Sequence, residues 1–311
     1  MSDNIGFMFP GQGSQEVGML GDLADAYPIV RDTFDAAGEA IGLDLWTLAQ
    51  EGPEEELGRT AVTQPTLLAA CVACYRAWQE AGGERPVVMA GHSLGEYCAL
   101  VCAGAMEFTE AAVLLHHRGT LMQAAVPQGQ GAMAAILGLD DRQVIDLCKA
   151  ASGDRVVAAA NFNAPGQVVV AGHADAVDAS IERAKEEGAR RAIRLAVSVP
   201  SHCSLMRDAA DEFTQALDEL EIRQPEIPVV HNVSADVTEG PDQIRELLSK
   251  QLYSPVRWQD CVGMMKTYGA VRCVECGPGN ILTGLVRRID RELEAASIGT
   301  HDALMEAVGK S

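Results

Sequence analysis

The chain has 311 residues, of which 44 are acidic and 24 basic, and its formal net charge is −20 at pH 7. This excess of negative charge repels nucleic-acid phosphates and anionic lipid surfaces, so neither nucleic acid nor a membrane is an expected partner. Hydrophobic residues make up 48% and charged residues 22%, a composition that excludes a disordered chain and indicates one large domain, with or without a smaller inserted one.

The start of the chain and its cysteines bear on where the protein works. Residues 1–4 carry neither the basic start nor the apolar run of a secretory signal, and no segment approaches the ~20 apolar residues of a membrane span. The nine cysteines are an odd number among mostly apolar neighbours, and the Cys71/Cys74 and Cys273/Cys276 pairs lack a turn that would fold them around a metal. We expect reduced thiols, no metal or redox cofactor, and a soluble cytoplasmic protein.

Apolar segments of strand length alternate along the chain with amphipathic segments of helix length, which predicts an α/β protein with a mostly parallel sheet. The clearest strands are residues 5–9 and 87–90, and the second runs through Gly91 into an apolar helix over residues 94–103. A strand, a sharp turn and a helix therefore follow one another at this point.

The middle of the chain has a different pattern. It predicts strand, helix, strand, strand, helix and strand, over residues 132–139, 141–150, 156–161, 167–171, 175–187 and 192–197. This is the element order of a ferredoxin-like split βαβ unit. We therefore predict a small ferredoxin-like domain at residues 129–198, inserted into a larger α/β domain that is formed by residues 1–128 and 199–311.

After Pro200 the α/β alternation resumes. Helices are predicted over residues 204–221, 241–252 and from 282 onward, with strands over residues 229–232 and 271–275. In such a fold the chemistry usually lies at strand ends and in the cleft between domains.

Residues 91–95 (GHSLG) match the G-x-S-x-G nucleophile elbow and lie between a predicted strand and a predicted helix, as that motif requires. The two glycines allow strand and helix to pack closely around a strained serine. Ser93 is therefore the predicted nucleophile, at a helix N-terminus where backbone N–H groups can stabilise an oxyanion.

A serine nucleophile needs a base, and the chain has seven histidines. His202 follows the last predicted strand of the small domain and begins a helix, so it emerges at the domain junction. His301 is the alternative, because α/β-hydrolases place their histidine late in the chain. Spacing alone leaves both open.

Two further features accompany the elbow. The glycine-rich loop around Gln12 follows the first strand directly and suits a close backbone approach to a ligand, although a simple tight turn has the same composition. Arg118 lies on a helix downstream of the elbow. If it turns into the cleft, its planar guanidinium can hold a carboxylate by two hydrogen bonds and select a dicarboxylate-type acyl group.

Together these motifs resemble the malonyl-CoA:acyl carrier protein transacylases of fatty acid synthesis, and the likeness covers nearly the whole chain. The matching segments are FPGQGSQ at 9–15, TQP at 63–65, GHSLGEY at 91–97, the Arg118 helix, NFN at 161–163, VPSH at 199–202, QLY at 251–253 and ECGPG at 275–279. The resemblance implies a hydrolase-like α/β domain with a parallel sheet, together with an inserted ferredoxin-like domain.

The resemblance also implies roles for single residues. Ser93 is the nucleophile and His202 its base, oriented by the backbone carbonyl of Gln251 in place of an acidic triad member. The other implied roles are oxyanion-hole N–H groups from Gln12 and Leu94, a malonyl-carboxylate partner in Arg118, an acyl-pocket lining from Gln64 and Asn163, and a supporting position for His92.

The implied reaction is a ping-pong transfer of the malonyl group from malonyl-CoA to holo acyl carrier protein, through a malonyl ester of Ser93. The carrier serves either fatty acid or polyketide synthesis. The alternatives are a serine esterase or thioesterase with His301 as base, and a non-enzymatic acyl-recognition module. No metal or redox cofactor is implied, and a monomer is expected.

Acyl carrier proteins are acidic, so a chain with a net charge of −20 needs a local basic patch to bind one. A solvated face is the simpler interpretation of any such cluster. The candidate patches are Lys185, Arg190, Arg191 and Arg194 at the end of the small domain, and Arg287 with Arg288 near the C-terminus.

Overall fold

The computed structural model describes residues 4–197 and 199–309, and its strands form two sheets. The strands are β1 (Ile5–Phe9), β2 (Val88–Gly91), β3 (Gly131–Leu137), β4 (Val157–Ala164), β5 (Gln167–His173), β6 (Arg191–Arg194), β7 (Val229–Val230), β8 (Arg272–Glu275) and β9 (Glu294–Ser297). The predicted domain limits at residues 1, 198 and 311 lie outside the described ranges, as do the first three residues of the N-terminal segment considered above.

The helices surround these strands and account for about half of the chain. They are α1 (Gly21–Ala26), α2 (Ile29–Ile41), α3 (Leu45–Glu51), α4 (Glu54–Leu57), α5 (Thr60–Glu80), α6 (Gly95–Cys102), α7 (Phe108–Ala124), α8 (Asp141–Ser152), α9 (Ala174–Glu186), α10 (Arg207–Glu219), α11 (Pro241–Gln251), α12 (Trp258–Thr267), α13 (Ile281–Ile289) and α14 (His301–Val308). A short 3-10 helix, Ser204–Met206, precedes α10.

The first sheet is parallel and has the strand order β7-β2-β1-β8-β9. Successive side chains of a strand point to opposite faces, so Phe7 and Phe9 of β1 enter the apolar cluster on one side, while Met8 enters the cluster on the other. Because both faces are covered, β1 and β2 are buried along their whole length. The predicted α/β fold with a parallel sheet is confirmed.

The second sheet is antiparallel and has the strand order β4-β5-β3-β6. Its elements follow the predicted order of strand, helix, strand, strand, helix and strand. One face packs on α8 and α9 through an apolar cluster that includes Val144 and Val177. On the other face, Met133 and Val169 cluster with Cys203, which lies just before the 3-10 helix. The second sheet therefore covers the part of the chain that carries His202.

Some element boundaries differ from the prediction. The strand predicted over residues 192–197 is β6 (Arg191–Arg194). Leu195 still donates its backbone N–H to Met133 of β3, but Leu195 and Val197 line a cleft. The helix predicted from residue 204 starts with the 3-10 turn. The helix predicted from residue 282 onward ends at Ile289, and the unpredicted strand β9 follows it at the sheet edge.

Within residues 4–197 and 199–309, no helix is both long and apolar enough to cross a membrane. The nine cysteines are free thiols, and all except the half-buried Cys102 are buried. Burial raises the pKa of Cys273 to about 12 and that of Cys203 to about 11, so these thiols stay protonated and unreactive. No three His, Cys, Asp or Glu side chains of the described ranges gather as a metal site requires.

Candidate active site

Ser93 lies on the tight turn between the end of β2 at Gly91 and the start of α6 at Gly95. Its φ is 54°, in the left-handed region that L side chains disfavour. A Cβ at Gly91 would lie 1.8 Å from the carbonyl oxygen of Gly95, and a Cβ at Gly95 would lie 2.1 Å from that of Phe9. Both positions therefore require glycine, as the elbow motif predicts.

His202 pairs with Ser93 across the cleft. The Ser93 Oγ lies 2.8 Å from Nε2 of His202, and Nδ1 of His202 lies 2.8 Å from the backbone oxygen of Gln251. A carbonyl only accepts hydrogen bonds, so Nδ1 carries the ring proton and Nε2 accepts the Ser93 hydroxyl hydrogen. Burial, and then the positive charge of Arg118, lower the pKa of His202 to about 3. The imidazole is therefore neutral and able to take up a proton.

Arg118 reaches the same cleft from α7, and it is 1% exposed. Its Nη1 donates to Oε1 of Gln64 at 2.8 Å, and its Nη2 donates to Oε1 of Gln251 at 2.9 Å and lies 3.5 Å from the Ser93 Oγ. No carboxylate of the described residues forms an ion pair with this guanidinium. Although burial lowers its pKa, an arginine remains charged in a protein. The site thus holds a buried cation, bonded to neutral amides, beside the serine.

The cleft into which these groups open has a volume of about 200 Å³ and lies between the two sheets. The second sheet contributes Asn163 from β4, whose Oδ1 lies 2.9 Å from Nε2 of His92. Burial lowers the pKa of His92, so this residue is a neutral partner that fixes the Asn163 amide. The side chain of Gln64, from α5, lines the opposite wall beside Arg118.

Two backbone N–H groups at the cleft lack acceptors. Gln12, in the loop after β1, and Leu94, next to Ser93, both line the cleft. Neither of their N–H groups donates a hydrogen bond to another described residue. Leu94 also precedes the first turn of α6, where the helix dipole favours negative charge. Both residues therefore contribute an N–H group without an acceptor among the described residues.

The sequence analysis did not select Glu96, His231 and Asn232, yet these residues hold the elbow. Glu96 is fully buried, and its two oxygens accept from Nδ1 of His231 at 2.7 Å, the backbone N–H of Asn232 at 3.0 Å and Nε2 of Gln251 at 2.7 Å. Asn232 Oδ1 accepts the backbone N–H of Ser93 at 2.7 Å. The available signal was a carboxylate three residues after the serine, in a helix that is otherwise apolar.

His301, the alternative base, lies at the start of α14 and away from the cleft. Its ring centroid is 6.1 Å from that of Tyr27, its side chain is 40% exposed, and its backbone N–H donates to Asp22. The fold therefore brings His202, and not His301, to Ser93.

A larger surface groove of about 530 Å³ is lined by Arg76, Arg85, Glu226 and neighbouring residues. Arg85 pairs with Glu226, and Arg76 donates to Thr33 and stacks on Phe108. Both arginines of this groove thus already have partners, and Ser93 and His202 lie in the smaller cleft.

Comparison with known proteins places these observations in a family. The model of the acyl transferase domain matches residues 6–301. The malonyl CoA-acyl carrier protein transacylase of Escherichia coli strain K12 is 51% identical over 302 residues, which cover 97% of this chain and 98% of the relative.

Solved structures give the same result. The malonyl CoA-acyl carrier protein transacylase of Coxiella burnetii superposes with a TM-score of 0.97 at 47% identity, covering 98% of this chain and 97% of the other. A malonyl-transacylase in complex with its holo type II PKS acyl-carrier protein superposes with a TM-score of 0.97 at 49% identity, covering 99% of both chains.

Proposed function

We propose that this chain, which belongs to the family of malonyl-CoA:acyl carrier protein transacylases, transfers the malonyl group of malonyl-CoA to the phosphopantetheine thiol of holo acyl carrier protein. The proposal rests on the positions of His202 and Arg118 around Ser93. The Ser93 Oγ lies 2.8 Å from the neutral His202 and 3.5 Å from the buried guanidinium of Arg118. A malonyl thioester has an electrophilic carbonyl at one end and a carboxylate at the other, so it matches both groups at once.

In the first half-reaction, His202 Nε2 takes the hydroxyl proton of Ser93 while the Oγ attacks the thioester carbonyl. The backbone N–H groups of Gln12 and Leu94 stabilise the tetrahedral oxyanion. The C–S bond then breaks, and the CoA sulfur leaves with the proton held by His202. The products are free CoA and a malonyl ester of Ser93.

In the second half-reaction, the carrier thiol gives its proton to His202 and attacks the Ser93 ester. The ester bond breaks, and the proton returns to the Ser93 Oγ. The carbonyl of Gln251 keeps Nδ1 protonated in both halves, which is the orienting task that a carboxylate performs in an acidic triad.

Selection of the acyl group falls to the wall opposite His202. Arg118 pairs with the malonyl carboxylate through its planar guanidinium. Gln64 accepts a hydrogen bond from Nη1 of that guanidinium, and Asn163, whose amide is fixed by His92, lines the pocket. This chemistry is complete without a metal or redox cofactor, since the side chains supply nucleophile, base and anion partner.

We assign the antiparallel sheet with α8 and α9 to a ferredoxin-like domain at residues 129–198, inserted into a hydrolase-like domain of residues 1–128 and 199–311. The element order and the strand order β4-β5-β3-β6 support this division. A cleft between two domains limits the access of water, which would otherwise hydrolyse the ester.

For the carrier we propose a docking surface at the end of α13, defined as Arg190, Arg287, Arg288 and Arg291. These four arginines line one surface cleft together with the β4–β5 turn. The other basic candidates are partly neutralised, because Lys185 pairs with Glu182 and Arg194 pairs with Asp178. Helix α13 begins beside the active-site cleft, which Leu282 and Leu285 line, so it links this surface to Ser93.

We also propose that the protein works as a monomer in the reducing cytoplasm. Its nine unpaired thiols support this location. The carrier of fatty acid synthesis is the proposed acceptor. A polyketide carrier is the second candidate, because one structural relative is described in complex with a type II PKS acyl-carrier protein.

The test is the intact mass of the protein after brief exposure to malonyl-CoA and, separately, to acetyl-CoA. We expect one malonyl adduct on the wild type, none on Ser93→Ala, and at least a tenfold slower malonyl adduct on Arg118→Ala, because a charge-assisted hydrogen bond is lost. Acetyl transfer needs no carboxylate partner, so it controls for general damage in Arg118→Ala. Steady CoA release without an adduct would instead identify a hydrolase.

A further inference from the structure

Glu96 is a buried carboxylate that does not line the cleft, yet each of its oxygens is used. It lies in the first turn of α6, where the helix N-terminus favours a negative charge. His231 and the backbone of Asn232 occupy part of its acceptor capacity, and Gln251 Nε2 takes the rest at 2.7 Å. Burial of such a group is costly unless each partner is kept in place.

The side-chain amide of Gln251 has one orientation that suits its neighbours. A carboxylate only accepts hydrogen bonds and a guanidinium only donates them, so Nε2 faces Glu96 while Oε1 faces Arg118. The distances are 2.7 Å to Glu96 and 2.9 Å to Nη2 of Arg118. A reversed amide would set two donors against each other at Arg118 and two acceptors at Glu96.

Gln251 also contacts the other reacting groups. Its Nε2 donates to the backbone oxygen of Ser93 at 3.0 Å, and its own backbone oxygen accepts from Nδ1 of His202 at 2.8 Å. A single glutamine at the end of α11 therefore contacts Ser93, His202 and Arg118, and Glu96 is the anionic acceptor that holds its Nε2 on the side away from Arg118.

We propose that Glu96 is a positioning residue for acyl-group selection, which fixes the Gln251 amide so that Arg118 is aimed at the malonyl carboxylate. This inference rests on the proposed function. A carboxylate in direct contact with Arg118 would compete with the substrate. The neutral Gln251 amide separates Glu96 from Arg118, so Glu96 compensates the buried positive charge without occupying the substrate's position. The position next to the guanidinium stays open to the malonyl group.

The first test is Glu96→Gln, which keeps the side-chain shape, removes the charge and replaces an acceptor of the Gln251 amide with a group that can also donate. The measurement is the single-turnover rate of Ser93 acylation by malonyl-CoA and by acetyl-CoA. We expect the malonyl-to-acetyl rate ratio to fall by about tenfold, the effect of one charge-assisted hydrogen bond. The KM for malonyl-CoA should rise, while a purely structural role would slow both substrates equally.

The second test is a double-mutant cycle with Gln251→Met, which removes the amide but retains the backbone carbonyl. If Glu96 acts through Gln251, adding Glu96→Gln to this background leaves the ratio unchanged. The matched control is Glu275→Gln, another buried carboxylate, which accepts from the backbone of Leu282 and Thr283 at the start of α13. It should lower the melting temperature without changing the malonyl-to-acetyl ratio.

An unchanged ratio in Glu96→Gln, or an undiminished effect in the Gln251→Met background, overturns the inference. Should Glu96→Gln fail to fold, Glu96→Asp retains the charge but withdraws the carboxylate, and it must still lower the ratio. A wild type without a malonyl adduct overturns the proposed function as well. A normal wild-type adduct with an unchanged variant ratio overturns the inference alone.

Discussion

His202, the proposed base, is oriented by a backbone carbonyl, and burial together with the positive charge of Arg118 lowers its pKa. The Gln251 carbonyl orients the ring without bringing a full negative charge, and Arg118 disfavours the imidazolium. In the proposed mechanism a bound malonyl carboxylate compensates the charge of Arg118, so the imidazolium becomes easier to form when the intended acyl group is present. Binding and base strength are thereby linked through one guanidinium.

The lowered pKa of His202 predicts how the stability of the protein depends on pH. The folded-state pKa of about 3 lies below the usual value of 6.5, so between these values the unfolded chain binds more protons. The free energy of unfolding therefore falls as the pH drops through this window. Replacing His202 with Asn should reduce that slope by up to about 1.4 kcal/mol per pH unit.

Urea unfolding of both proteins at several pH values between 4 and 7 measures the two slopes. The control is the same substitution at His301, a half-buried histidine that lies away from the cleft. Equal slopes for the wild type and His202→Asn would contradict a neutral, buried imidazole.

For single residues, the sequence predicts the groups of the proposed reaction better than the buried residues that hold them in place. Ser93 lies in a motif whose residue types follow from the chemistry, whereas spacing left His202 and His301 both open, and the family resemblance pointed to His202 and Arg118. Glu96 could not be selected in the same way, because a glutamate in the first turn of a helix is usually solvated. Its burial depends on His231, which the chain supplies more than a hundred residues later.

At the scale of elements, local patterns were predicted well and edge positions poorly. The elbow was predictable because strand, glycines and helix are adjacent in the chain. Strand β9 was not, since its EAAS sequence lacks an apolar run and it lies at the edge of the sheet. In β6 only Arg191–Arg194 pair with the sheet, and these residues are mostly exposed, whereas the apolar Leu195 and Val197 that follow line the cleft.

The elbow predicts the effect of Gly91→Ala. The added methyl group would lie 1.8 Å from the Gly95 carbonyl oxygen, so strand and helix must separate. We expect a loss of stability of about 3 kcal/mol or more and no malonyl adduct at Ser93. Urea unfolding and intact mass measure the two effects.

The matched control for this change is Gly284→Ala in α13, where nothing lies within 4 Å of the new methyl group. Because alanine favours a helix over glycine, this variant should gain up to about 1 kcal/mol. If Gly91→Ala were as stable as the wild type, the close packing described for the elbow would be incorrect.

At the scale of the whole molecule, a protein with a net charge of −20 must attract a partner of the same sign. Arginines of the docking surface come from two distant parts of the chain, since Arg190 precedes β6 while Arg287, Arg288 and Arg291 follow the start of α13. Sequence analysis placed Arg190 and the Arg287–Arg288 pair in separate candidate patches, because their proximity arises only from the tertiary fold.

Charge reversal at the docking surface should slow transfer to the carrier. We expect Arg288→Glu combined with Arg291→Glu to reduce transfer from the malonyl-Ser93 enzyme to holo carrier by about tenfold or more at low salt. Transfer to free pantetheine, which carries the same thiol without the acidic protein, should be unchanged. The rates come from stopped-reaction mass spectra of enzyme that has first been loaded with malonyl-CoA.

The control for that experiment is Arg142→Glu combined with Lys149→Glu on α8, where both residues are exposed and pair with Asp146. It changes the net charge equally but should not slow either transfer. The effect at the docking surface should also shrink as salt is added. Equal slowing with carrier and pantetheine would mean that the arginines contact the pantetheine arm and not the surface of the carrier protein.

The parallel pairing of the first sheet also affects how the chain folds while it is being synthesised. Strand β1 lies at the centre of that sheet, and Ile5 pairs with Arg272. One edge of β1 can pair early with β2, but in a ribosome-bound chain its other edge stays open until β8 has emerged, and closure over so long a loop is slow. An open, apolar strand edge invites pairing with other chains. The nascent polypeptide should therefore depend on chaperones until β8 has emerged and paired with β1.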